Sequence, residues 1–188
     1  MPKQRITKEM VVEAAFEIAR AGGMEQVTVG SVAQRLGCSV QPIYSYCESM
    51  DGLRQAAAER TGQFIREYAA AHIRPQDLFR SMGQAYLQLA KEEPELFKIF
   101  ILHRRRGISS LKDLYLQETD PRVADFIAAQ LNMDAVQARQ LHLNMLIYTI
   151  GLGTVFSVTE PGIPAEEIFA QQETAFEAFC SIASDGKK

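Results

Sequence analysis

Apolar residues recur along this chain at spacings of three and four, and no stretch alternates apolar and polar residues over a convincing strand length. Thr7 is placed to cap a first helix with Val11, Ala14, Ala15 and Ile18 on one stripe, ended by Gly22-Gly23. Thr28 caps a short second helix that turns Val29, Val32, Ala33 and Leu36 inward, and Gly37 stops it. Ser39 then caps a third helix with Pro42 in its first turn and Ile43 and Cys47 inward. Met50-Asp51-Gly52 punctuates before a longer helix, roughly Leu53 to His72. Further starts fall at Asp77, Pro94, Ser110, Asp120-Pro121 and Asp134, and a last helix follows Pro161-Gly162-Ile163-Pro164 and runs to about Ala183. The pattern predicts an all-α protein of about nine or ten helices, without internal repeats.

The segment from Thr28 to Cys47 is the sharpest feature. Two short helices meet at a glycine, and the small Ala33 lets the second approach the first closely. That is what a helix-turn-helix requires, with the first helix as the third wall of a miniature core. An ordinary helical hairpin inside a larger bundle is the alternative on geometry alone.

Charge at first argues against a nucleic-acid partner. The 188 residues hold 20 Lys+Arg against 23 Asp+Glu, a net charge of −3. The balance is uneven, however: residues 1–60 are neutral, with seven of each sign, and the first eight residues carry +3. A DNA partner therefore stays open, with weak non-specific attraction and more of the affinity left to specific contacts. A hydrophobic content of 47% with 23% charged residues is globular. Three cysteines make no disulfide scaffold and suit a reducing cytosol. Gln140 to Thr159 holds no Asp, Glu, Lys or Arg and is long enough to span a bilayer. Its His142, Asn144, Thr149, Thr154 and Ser157 are better explained by a soluble helix buried on most of its circumference.

The run from Ile6 to Leu53 resembles the N-terminal DNA-binding domain of TetR-family transcriptional regulators. The matching residues are Ala14-Ala15, Gly22-Gly23, Thr28, Val32-Ala33, Gly37-Cys38-Ser39, Ile43-Tyr44 and Asp51-Gly52-Leu53. The resemblance covers about a quarter of the chain. It implies a helix-turn-helix DNA-binding domain over residues 1–50 and a helical effector-binding and dimerisation domain over 51–188. Three positions depart from the family's usual pattern. Tyr46 stands where a histidine is common, Cys47 where a phenylalanine is common, and Met50 where a lysine usually makes a backbone contact.

Side-chain chemistry assigns the expected contacts. Gln41 can pair in bidentate fashion with adenine, and Val40 and Pro42 can meet a thymine methyl. Ser45 is a short donor and acceptor, and Ser39 sits at the head of the same helix. Thr28, Tyr44 and Tyr46 suit phosphates, while Lys3 and Arg5 on an N-terminal arm can reach phosphate or the minor groove.

A dimer is expected because one helix-turn-helix covers too little DNA. The last helix carries two apolar stripes, and the resemblance implies that the last two long helices build a four-helix interface. Phe156, Phe169, Phe176, Phe179 and Cys180 are the expected interface residues. The aromatic- and Met-rich helices between predict a pocket for a small hydrophobic or aromatic effector, lined by some of Tyr86, Phe100, His103, His142, Asn144, Met145 and Tyr148. Arg104-Arg105-Arg106 reads as a solvated helix end rather than a second nucleic-acid patch. Metal-ligand spacings, phosphate-cradling loops and paired catalytic carboxylates do not stand out, so neither enzyme nor cofactor is expected. A helical carrier of hydrophobic ligands and an architectural DNA-binding protein without an effector are the competing readings.

Overall fold

The computed structural model describes residues 6–185, which form ten α-helices with no strand among the described residues. They are α1 (Lys8–Gly22), α2 (Val29–Leu36), α3 (Gln41–Cys47), α4 (Met50–His72), α5 (Leu78–Glu92), α6 (Pro94–Ile101), α7 (Leu111–Glu118), α8 (Pro121–Leu131), α9 (Ala135–Val158) and α10 (Ala165–Asp185). Single 3-10 turns at Met24–Gln26 and Pro75–Asp77 precede α2 and α5.

Most starts follow local capping chemistry. Thr7, Ser110, Asp120 and Asp134 each accept a backbone N–H from the first turn of the following helix. Two starts differ from the sequence pattern. Ser39 does not cap α3: the residue before that helix is Val40, itself in helical conformation, and no side chain caps the end. Pro42 explains why none is needed, since one orphan amide is already missing. The fourth helix begins at Met50 rather than Leu53, because Ser49 Oγ accepts the Gly52 N–H at 3.0 Å and starts the helix three residues earlier.

The chain divides into two compact units. One runs to Ala71 and resumes over Glu92–His103; the other comprises His72–Lys91 and the chain from Arg104 onward. The first has a core of Val11, Ala15, Ala19, Val32, Ile43 and Leu53 from α1 to α4, with Val27 from the link before α2, all fully buried. Its outer side is tied together by charges on aromatic faces. Arg60 lies 4.6 Å from the Phe16 ring centre and bonds Glu13 at 2.9 Å, and Arg20 lies 5.3 Å from Phe64 and bonds Glu93.

In the second unit α9 packs against α8 and α10. Phe79, Ile127, Ala138, Leu141, Met145 and Phe176 form one cluster, and Leu87, Phe156, Ala165 and Ile168 another. Among the described residues α9 is the one helix long and apolar enough to cross a membrane. It buries Leu141, His142, Met145, Thr149, Gly153 and Phe156 within this unit, as a core helix does.

Candidate nucleic-acid interface

Thr28 opens α2 with a reciprocal cap. Its hydroxyl accepts the Ser31 N–H at 3.0 Å, and Ser31 Oγ accepts the Thr28 N–H at 3.0 Å. Gly37 ends α2 at φ 64°, a left-handed conformation, and the Cys38 N–H returns to the Ala33 carbonyl at 3.0 Å. The chain thereby turns within four residues, and α3 lies against both α1 and α2.

The exit from α3 is equally constrained. Glu48 takes φ 60°, and a Cβ on Gly52 would stand 2.1 Å from the Cys47 carbonyl oxygen. Any side chain at position 52 would drive α4 off the end of α3. Arg54 on α4 adds a brace, with Nε 3.4 Å from the Val27 carbonyl.

Ile43 and Cys47 point inward and hold α3 to the core, and burial raises the Cys47 pKa, which keeps its thiol protonated. The opposite face is open. Val40 is 45% exposed, Tyr44 47% and Tyr46 37%, with Gln41 and Ser45 exposed beside them and Pro42 half-buried. Tyr44 is thus a surface aromatic. From Gln41 to Cys47 the helix carries no charge, so this face offers hydrogen bonds and apolar contact. Ser45 Oγ donates to the Gln41 carbonyl at 3.0 Å. Thr28 is exposed with its hydroxyl engaged in capping, and Ser39 is exposed at the turn. Met50, where a lysine would be usual, is half-buried against the core. Lys3 and Arg5 lie outside the described residues.

Tyr46 has a contact that sequence alone does not reveal. Its hydroxyl donates to the Ile6 carbonyl at 2.9 Å, across forty positions of sequence.

The residues expected around an effector fall in different places. Phe100 and His103 belong to the first unit, where His103 accompanies Met24, Arg54, Ala58, Lys98, Ile99 and Leu102 in a shallow groove. In the second unit His142 is buried between the rings of Phe79 and Tyr115, at 5.5 and 5.4 Å, and burial lowers its pKa to about 4. Met145 is buried in the adjoining cluster. Asn144 lies about 200° round the helix from His142 and accepts from Gln140 at 2.9 Å. Tyr148 accepts from Gln171 at 2.7 Å and meets the Phe179 ring edge-on, and Tyr86 is half-buried on α5.

The expected interface residues sit largely inside the second unit. Phe156 and Phe176 are buried, and Phe169, Phe179 and Cys180 pack half-buried against the same clusters. The open apolar stripe of α9 is the neighbouring one: Ile147 is 45% exposed, Val155 53% and Val158 61%, with open space where a Cβ on Gly151 would stand. On α10 Ala170, Ala178 and Ile182 are exposed. Of these, Ile182 belongs to one of the two apolar stripes read from the sequence, whereas Ala170 and Ala178 lie outside both. Arg104 and Arg106 are exposed, whereas Arg105 bonds Glu118 at 2.6 Å.

Neither a protein-family model nor a curated protein matches the sequence. Solved structures do match the fold. A TetR-family transcriptional regulator from Streptomyces coelicolor superposes with a TM-score of 0.72 at 14% identity, covering 96% of this chain and 82% of that one. A TetR-like transcriptional regulator from Rhodococcus sp. RHA1 gives 0.63 at 15% identity, covering 93% and 96%. A TetR variant from Acinetobacter baumannii AYE, in complex with minocycline, gives 0.62 at 13% identity over 98% and 99%. The chain has the all-helical fold of TetR-like transcriptional regulators along most of its length.

Proposed function

We propose that this protein is a ligand-responsive, DNA-binding transcriptional regulator that acts as a homodimer on a palindromic operator. The observation that carries the reading is the open, uncharged face of α3. Val40, Gln41, Tyr44 and Ser45 are held outward by a helix anchored through Ile43 and Cys47. A helical carrier of apolar ligands has no use for that face. Residues 1–50 read DNA in this scheme, and 51–188 bind the effector and dimerise.

Gln41 reads adenine, Val40 and Pro42 meet thymine methyls, and Tyr44 fixes register on a phosphate, while the Thr28 hydroxyl, which donates to Ser31 Oγ at 3.0 Å, serves the cap of α2. The seam between protomers runs along Ile147, Gly151, Val155 and Val158 of α9 and the exposed edge of α10, with the half-buried Phe169, Phe179 and Cys180 beneath. A small, mostly apolar effector favours a second arrangement of the dimer in which the recognition helices no longer match the groove spacing, and it acts only through its differential affinity for the two arrangements. Repression relieved by effector is the proposed output; the minocycline complex of a protein with the same fold supports the effector part.

Selection from a pool of randomised duplexes by the purified protein tests the reading. Enrichment of two inverted half-sites supports it. A pool that stays random after repeated rounds contradicts it.

A further inference from the structure

The tyrosine at the end of α3 is placed to do something other than meet a phosphate. Its hydroxyl carries a single proton, and that proton goes to the Ile6 carbonyl at 2.9 Å. A phosphate only accepts, so Tyr46 cannot donate to both at once. Ile6 is held a second time, since its side chain packs half-buried against the core formed by α1 to α4. The Ile6 carbonyl lies outside the α1 ladder, which opens with the Val11 N–H bonded to the Thr7 carbonyl. Immediately before this doubly fixed residue, the sequence carries Lys3 and Arg5.

We propose that Tyr46 is a positioning residue: it ties the base of the basic N-terminal segment to the recognition helix, so that Lys3 and Arg5 reach DNA beside the groove that α3 reads. A phenylalanine keeps the ring and loses the bond, and a shorter polar side chain does not span the distance. The inference rests on the DNA-binding reading above, and it reassigns Tyr46 within that reading.

The test uses the wild type, Tyr46→Phe, a Lys3→Ala/Arg5→Ala double variant, and the combination of all three substitutions. Affinity for a selected duplex is measured over a salt series. Tyr46→Phe is expected to weaken binding about three- to tenfold and to lower the salt slope by about one. In the background lacking Lys3 and Arg5 the same substitution should cost less than about twofold. An equal loss in both backgrounds overturns the proposal, because Tyr46 then touches DNA directly; so does no loss in either. Without DNA, the backbone order parameters of Ile6 and Thr7 should fall in Tyr46→Phe, and unchanged values overturn the tether itself. If the wild type binds no duplex while those order parameters do fall, the regulator reading has failed and the tether has not.

Discussion

The Tyr115 hydroxyl lies 3.0 Å from Nδ1 of His142, and both side chains are buried. With the imidazole neutral and its own proton on Nε2, the phenol donates to Nδ1. Burial alone lowers the His142 pKa to about 4, below the ordinary 6.5. Unfolding releases the ring to water, where it binds a proton more readily. Stability contributed by the neutral ring is therefore intact above about pH 6.5 and is lost as pH falls toward 4. The loss should reach about 3 kcal/mol near pH 4. Urea midpoints across this range should fall less steeply in His142→Gln than in the wild type. Parallel profiles would show that His142 is not the titrating group.

Gly83 and Gln172 make a second tight relationship in the same unit. A Cβ at position 83 would stand 2.3 Å from Gln172 Nε2, which is itself 3.3 Å from Thr149 Oγ1. Gly83→Ala should cost about 1–3 kcal/mol through overpacking. Adding Gln172→Ala should recover part of that loss in thermal unfolding. Equal destabilisation in single and double variants would place the strain elsewhere.

The outward face of α3 predicts loss of binding without loss of stability. Gln41→Ala should weaken operator binding by about tenfold or more, and the loss should concentrate at one adenine. Its melting temperature should stay close to that of the wild type. A uniform loss across all duplexes would mean that Gln41 reads backbone.

Met50→Lys should tighten DNA binding and steepen the dependence of log affinity on log salt by about 0.9, one phosphate's worth. Met50 is half-buried at the first position of α4, so the lysine stem can cover the same apolar surface. An unchanged slope would remove position 50 from the DNA contact.

The exposed stripe of α9 predicts two separable variants. Val155→Glu should yield monomers in sedimentation while leaving the fold intact. Phe176→Ala should instead destabilise the protomer by about 3–5 kcal/mol, since that ring is buried against Phe79 and under Arg80. A dimer that survives Val155→Glu would place the seam on another surface.

Local chemistry made most of the fold legible. Thr7, Thr28, Ser110, Asp120 and Asp134 announce helix starts because a cap needs only residues two or three apart. The open face of α3 follows from Ile43 and Cys47 by the same short-range logic. What the pattern hides is long-range. Ser39 looks like a cap, yet the residue at the head of α3 is Val40 and no side chain caps that end. Tyr46 looks like a phosphate donor until Ile6 is seen beside it. Phe176 and Val155 are equally apolar on paper, and only the packing of α8, α9 and α10 shows that one is core and the other surface.

Spacing is the most direct measure of the dimeric reading. Two recognition helices fixed in one homodimer demand half-sites at one separation, roughly 34–36 Å or a multiple of one helical turn. Inserting about five base pairs between the selected half-sites should turn them to opposite faces of the duplex and reduce affinity to that of non-specific DNA. Affinity that is indifferent to the insertion would mean that each protomer binds alone, and would contradict the central claim.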